Sequence, residues 1–514
     1  MKIISAKSFF RLAVVAVFLA LIALALHYFW RWKTLEYKRQ LQASGEKLSV
    51  AELSPAPVPA EQNGAPTFQQ AAATLKSPTG VLKTNAPSVM HMVGPGKAMV
   101  GWAQSDIRDE TDRVTNSWND LEAELSTDSE ALNALRQLTN YPVLDFGVSY
   151  ELTGSPPDKW ENHFEPERQG ALVLATSVEN ELHRGNAALA AADLRAMLAL
   201  VRATQDERTV ASQLVRIAIA RMAMASTWEY LQSPRLTDEE LASVQSAWSQ
   251  LEFRQAAENA LMMERAMTEE LLAKARQSSV GYQKILGENQ SSDSLQRAMA
   301  KSKQIFWRLW WSHPDELRAL KGFEVLLNGA RFVQTNYAFR SKILEQHAAL
   351  SELGVTPLTH RDWWEIGPAN PTLRTFFSQS VTACYDFLEV VQRAEICRQM
   401  ALTTLALKRY QLKHGNYAPE LAALVPEFLP AVPRDPIDGK PLRYQLVGNS
   451  YLLYSIGEDG VDNGGDPVPV STSDTVSSWM QGRDSVWPEP ATEQEIQAYE
   501  NKLLFKGKST QAQK

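Results

Sequence analysis

The stretch that decides the architecture runs from Val210 to Leu231: Val-Ala-Ser-Gln-Leu-Val-Arg-Ile-Ala-Ile-Ala-Arg-Met-Ala-Met-Ala-Ser-Thr-Trp-Glu-Tyr-Leu. Val210, Leu214, Ile217, Met224, Trp228 and Leu231 recur at steps of three, four and seven, which on a 3.6-residue period places them on one apolar stripe. Ser233-Pro234 ends the stripe, because the proline ring cannot continue a helix. Thr237 with Glu240 then has the form of a capping box. Leu241, Val244, Trp248 and Leu251 carry a second helical pattern. Upstream, residues 184–200 pair with 210–231 as a hairpin. Helices of this length with short turns imply an antiparallel bundle or stacked hairpins. No repeat of fixed length survives inspection, which argues against a tetratricopeptide-like array.

Outward from this block, 170–275, the pattern defines a helical domain over 105–399. Thr127 with Glu130 reads as a capping box ahead of Leu132, Leu135 and Leu138. Residues 140–170, with Pro142, Pro156, Pro157 and Pro166, read as an irregular break with a short strand near 143–152. Within it Glu161, His163, Glu165 and Glu167 form the densest polar knot of the chain, read as a solvated loop. Residues 306–312, Phe-Trp-Arg-Leu-Trp-Trp-Ser, allow an interfacial membrane contact. The preferred reading puts Trp307, Trp310 and Trp311 in the core, where large aromatics dominate; Trp363 and Trp364 are read the same way. A long helix is expected from Thr375 to Lys413, stopped by His414-Gly415-Asn416. Cys384 and Cys397 lie on it about 20 Å apart, too far to bridge.

The 514-residue chain carries a net charge of −7. That balance argues against a nucleic-acid partner, and two cysteines exclude a disulfide-dense scaffold. From Leu12 to Trp30 the only clearly polar residue is His27, with Lys2, Lys7 and Arg11 in front. About 20 apolar residues cover the hydrocarbon core, so residues 1–33 are expected to be an N-terminal transmembrane helix. Ala23-Leu24-Ala25 resembles a cleavage site. Cutting there would leave a greasy end beginning at Leu26, so an uncleaved anchor is preferred. The expected location is a single-pass inner-membrane protein with its bulk in the periplasm or extracytoplasmic space. Residues 34–104 read as a juxtamembrane segment and Pro-rich linker, loosely ordered over 51–100. Residues 488–514 read as a polar tail.

Near the C-terminus the residues run Ala406-Leu407-x-x-Tyr410, Gly415-Asn416-Tyr417-Ala418-Pro419, then Leu421 and Leu424. Pro433-Arg434-Asp435-Pro436, Gly439-Lys440-Pro441 and Tyr444 follow, and Tyr454-Ser455-Ile456-Gly457-Glu458-Asp459-Gly460 leads an acidic run to Asp466. Residues 442–447 and 451–456 alternate like strands around a turn at Gly448-Asn449-Ser450. This order over 400–466, about an eighth of the chain, resembles the soluble domain of the major pseudopilin of type II secretion systems. The resemblance implies a small α+β module over 400–487 and a Gram-negative-like envelope. The N-terminus departs from that family: no glycine marks a processing site and no glutamate stands inside the span, so fibre assembly is not expected. In that family the closing loop binds calcium, which makes Asp459, Asp462 and Asp466 the candidate ligands, with Asn463 beside them. Three close carboxylates and flexible glycines suit a hard cation with oxygen ligands.

The expected fold is therefore mainly α, with a membrane helix, a large antiparallel helical domain and the small pseudopilin-like module. No zinc motif, nucleophile elbow, P-loop or Gly-x-Gly-x-x-Gly appears. The expected function is a non-catalytic envelope interaction or assembly protein with an envelope protein as partner. The alternative is a periplasmic hydrolase of envelope material, with its site in a groove of the helical domain.

Overall fold

The computed structural model describes residues 6–75, 89–108, 115–150, 163–285, 294–355, 380–457, 459–469 and 479–511. The chain is mainly helical, with a small sheet near its C-terminus. It opens with α1 (Ala6–Ala43), α2 (Val50–Leu53) and α3 (Ala65–Thr74), followed by the hairpin β1 (His91–Gly94) and β2 (Lys97–Met99). A short ribbon, β3 (Ile107–Arg108) and β4 (Thr115–Asn116), leads to α4 (Trp118–Thr127) and α5 (Ser129–Arg136). Of the stretch 51–100, expected to be a loose lead-in, the described residues 51–75 and 89–100 place Phe68, Ala71, Met90, Met92 and Ala98 in the main core. Pro66 is no obstacle, since it occupies the first turn of α3, where its missing N–H is not needed.

The body continues with α6 (Phe164–His183), α7 (Ala187–Ala203), α8 (Val210–Leu231) and α9 (Asp238–Ser249). Then come α10 (Arg254–Gln277), α11 (Ser279–Ile285), α12 (Ser294–Trp310), α13 (Ser312–Thr335) and α14 (Phe339–Glu352). Helices α6, α7 and α8 pack on one another, α9 packs on α7, and α10 packs on α13. The α6–α7 turn uses Gly185 at φ +76°, a left-handed conformation that suits glycine, and Asn186 caps α7 by accepting from the Leu189 N–H. At α9 the capping box is present: Glu240 N–H donates to the Thr237 hydroxyl, and Thr237 N–H to the Glu240 carboxylate.

Several expectations are corrected. Thr127 is the last residue of α4, and Asp128 holds the N-cap position of α5. Leu214 is 39% exposed, whereas Ile217, Trp228, Leu241, Val244, Trp248 and Leu251 share the core. The reason is that α8 is covered by α6, α7 and the later helix Phe387–His414 together, so its burial is not one stripe; Arg216 is buried instead. Its guanidinium donates to Val201 O at 2.6 Å and Glu252 O at 2.5 Å. No strand forms over 143–150. That backbone is tied elsewhere, Leu144 N–H to Ala203 O and Asp145 N–H to the Asn63 side chain, both at 2.9 Å. Trp307 is fully buried but Trp311 is 37% exposed. Trp363 and Trp364 lie outside the described residues.

Helix α15 (Phe387–His414) passes unbroken through residue 400, and its side chains join the helical body and the C-terminal sheet in one hydrophobic cluster. Gly415, at φ +82°, closes it as expected. Cys384 and Cys397 are both buried and unbridged. Strands β5 (Arg443–Val447), β6 (Ser450–Ser455) and β7 (Ser485–Val486) form an antiparallel sheet, with Val447 opposite Ser450 across Gly448-Asn449. Strand β8 (Glu489–Pro490) pairs parallel with β2, and α16 (Glu493–Gln511) closes the described chain. The start of the polar tail is thus held against the N-terminal segment, with Trp228 Nε1 donating to Pro488 O at 2.8 Å.

Helix α1 is continuous, and among the described residues no helix is long and apolar enough to cross a membrane. In the apolar run, the side chains at positions 12, 13, 16, 19 and 20 lie outside the described residues.

Candidate functional site

The acidic C-terminal loop was the place marked by the sequence. The Asp459 carboxylate accepts from Val461 N–H at 3.0 Å. Asp462 accepts from Gly464 N–H at 3.1 Å and from the Tyr454 hydroxyl at 3.0 Å, and it pairs with Arg443 at 3.1 Å. Asp466 accepts from Val468 N–H and pairs with Arg483, both at 3.0 Å. The three do not converge on one point, and no group of potential metal-ligating side chains among the described residues contains them. Two residues outside that set organise the loop. Buried Asp484 accepts the N–H groups of Asn463, Gly465 and Asp466 at 3.1, 2.7 and 3.2 Å. Buried Asp435 accepts from Ile437 and Ile456 N–H at 3.0 Å and from the Ser455 hydroxyl at 2.8 Å. Burial pushes both carboxyls above their ordinary range, and the N–H bonds pull them back.

A second cluster lies in the helical body. The polar knot of 161–167 does not stay together in solvent. His163 and Glu167 are buried one turn apart at the start of α6, while Glu165 points outward to Arg168; Glu161 lies outside the described residues. Helical period explains the split, since residues i and i+4 share a face and i+2 does not. Glu207, from the link between α7 and α8, completes the group: His163 Nε2 stands 2.9 Å from Glu207 Oε1 and 3.9 Å from Glu167 Oε1. One ligand atom from each of the three lies within 4.8 Å of the others. Glu167 Oε1 is buried without a hydrogen-bond partner among the described residues. Burial first, then the Glu207 charge, holds the Glu167 carboxyl well above the usual carboxylate range. The Phe146 ring stacks on His163 at 4.3 Å. Phe146 and Glu207 both line a cleft of about 650 Å³, which Tyr150, Asp206 and Arg208 also border.

One imidazole and two carboxylates suit a divalent transition metal that keeps an open position. Without a metal, burial favours the protonated Glu167 carboxyl, 3.9 Å from His163 Nε2. Sequence proximity could not find the group, since Glu207 lies forty residues from Glu167 in the chain. The available signal was His163 and Glu167 at helical spacing.

No protein-family model, curated protein or solved structure matches this chain.

Proposed function

We propose that the chain is a membrane-anchored extracytoplasmic protein of a bacterial envelope, working as a non-catalytic interaction or assembly body. The observation that carries this is α1. Val14, Phe18, Leu21, Ile22, Leu24 and Leu26 are all more than a third exposed. They surround a helix that water would not leave bare, and a helix apolar on nearly every side belongs in lipid. Beyond Trp30 the same helix is rooted in the body through Thr34, Lys38 and Leu41. The pseudopilin-like module, with calcium at Asp459, Asp462 and Asp466, belongs to this reading and rests on the sequence resemblance. In alkaline carbonate the protein is expected to stay with membranes, and protease added outside the inner membrane is expected to remove nearly the whole chain. A soluble mature chain beginning at Leu26 would overturn the anchor.

The second reading is an enzyme with its site in the helical body. It is favoured by one observation, the His163–Glu167–Glu207 group beside an open cleft. Thermal melting of the full chain in detergent, with zinc, with calcium and with chelator, separates the possibilities. Zinc stabilisation lost in His163→Ala supports the metal-binding cleft. Calcium stabilisation lost in Asp459→Ala supports the C-terminal loop. Equal melting temperatures in all three conditions would remove both metals from the account.

A further inference from the structure

We propose that α12 lies in the membrane–water interface and contacts anionic lipid headgroups beside the anchor. This rests on the reading of α1 as membrane-embedded, and three observations carry it beyond that reading.

The first is position. Contacts along α1 form a ladder. Just past its C-terminal end, Glu46 takes Arg265 of α10 at 2.6 Å and Arg331 of α13 at 2.7 Å. Lower down, Lys38 meets Glu269 of α10 and Glu316 of α13, and the Thr34 hydroxyl donates to His313 O at 3.1 Å. Inside the C-terminal end of the apolar run, His27 Nδ1 lies 3.2 Å from Leu309 O of α12. Moving along α1 toward its apolar part therefore leads from the far ends of α10 and α13 to α12, which occupies the end of the body closest to the membrane.

The second is its two faces. Ala300, Gln304 and Trp307 are buried. Gln304 Nε2 donates to Ala275 O and Arg276 O at 3.0 Å, and Trp307 Nε1 donates to Asp315 at 2.8 Å. On the opposite side Leu295, Met299, Phe306 and Leu309 fall at i, i+4, i+11 and i+14, with Ile305 beside them, and all are 39–66% exposed. That spacing makes one continuous apolar stripe. A helix pinned on one face while Met299, Ile305, Phe306 and Leu309 stand 39–54% exposed on the other needs a cover.

The third is charge. Arg297, Lys301, Lys303 and Arg308 are exposed; by helical period Lys303 borders the stripe on one side and Lys301 on the other, with Arg308 and Arg297 further round, and Ser294–Trp310 holds no acidic residue, in a chain of net charge −7. An apolar face edged by basic side chains is the composition of helices that lie in the plane of an anionic bilayer surface. The long stems of Lys and Arg can follow the apolar surface while their heads stay at phosphate level. A protein partner would need no such uniform positive border.

The test uses the full chain in lipid nanodiscs with a spin label on an introduced thiol, Met299→Cys, Phe306→Cys or Leu21→Cys; the native Cys384 and Cys397 are buried. In discs containing phosphatidylglycerol, all three labels are expected to be reached by oxygen more readily than by an aqueous nickel chelate. In discs of phosphatidylcholine alone, positions 299 and 306 are expected to shift toward water while position 21 stays in lipid. Aqueous labels at 299 and 306 in both discs, with position 21 in lipid, would overturn the proposal and leave this face to a protein partner. Equal lipid contact in both discs would overturn the headgroup recognition. A label at position 21 that reads as aqueous would overturn the anchor itself.

Discussion

Glu229, near the end of α8, has none of its surface exposed; it accepts N–H bonds from Met90 at 2.9 Å and Gly101 at 3.0 Å, with Glu179 of α6 beside it. Burial pushes the Glu229 carboxyl up to about 8, and burial followed by the Glu229 charge holds Glu179 well above its ordinary range. Because the folded chain keeps a proton that the unfolded chain releases above its ordinary value of 4.5, stability is complete at or below that pH. It is lost as pH rises toward about 8. Glu229→Gln keeps an acceptor for Met90 and Gly101 while removing the titration. Thermal melts are expected to show the wild type falling between those two pH values and the variant falling less. Parallel curves would show that the pair does not titrate in this window. None of this was legible in the sequence, where Glu229 reads as one polar residue in an apolar helix and its partners lie some 50 and 130 positions away. His163 and Glu167 were legible as a knot but were assigned to solvent, because local prolines said nothing about Glu207.

At the scale of elements, the joint between α1 and the body depends on buried charge. Lys38 faces Glu269 and Glu316, and Arg276 also reaches Glu316. Burial raises the Glu269 carboxyl to about 7, while His313, Arg276 and Lys38 outweigh burial and hold Glu316 at about 2. Removing Lys38 takes from buried Glu269 its ion-pair partner among the described residues, which costs far more than the intact pair contributes. Lys38→Ala is expected to destabilise the fold by roughly 3 to 5 kcal/mol, measured by denaturant unfolding in detergent; an unchanged midpoint would place Lys38 at a solvated surface. Elements with strong local signals were read correctly from the sequence: the capping box at Thr237, the Gly415 stop and the Gly448-Asn449 hairpin. Leu214 and Thr127 were misread. A stripe shows which face is apolar, yet it cannot show that several helices crowd α8 or that a turn restarts the helix one residue later.

For the whole molecule, α15 is the element that matters most. It enters the same hydrophobic cluster as α8 and α9, and also carries Ala418, Leu421, Leu442 and Leu453 of the C-terminal module on that cluster. Parts that share one core unfold together. Calorimetry of the full chain in detergent is expected to show one principal transition, and two well-separated peaks would show that the module folds independently. The strand pairing of β2 with β8 points the same way, because it joins residues nearly 400 positions apart.

By itself, the sequence determined that this chain is mainly helical, that its long helices come in hairpins, and where a β hairpin sits near its end. Those features depend on interactions within a few residues: apolar period, side-chain caps, and glycines free to adopt positive φ. Only the tertiary structure decided that Phe68, Ala71, Met90, Met92 and Ala98 of the Pro-rich lead-in are core and that His163 and Glu167 meet Glu207. It also decided that Asp484 organises the acidic loop and that α12 turns an apolar face outward at the end of the body where α1 leaves it. Each of those depends on which surfaces are brought together by burial, a property of chain segments tens to hundreds of residues apart that no local pattern encodes.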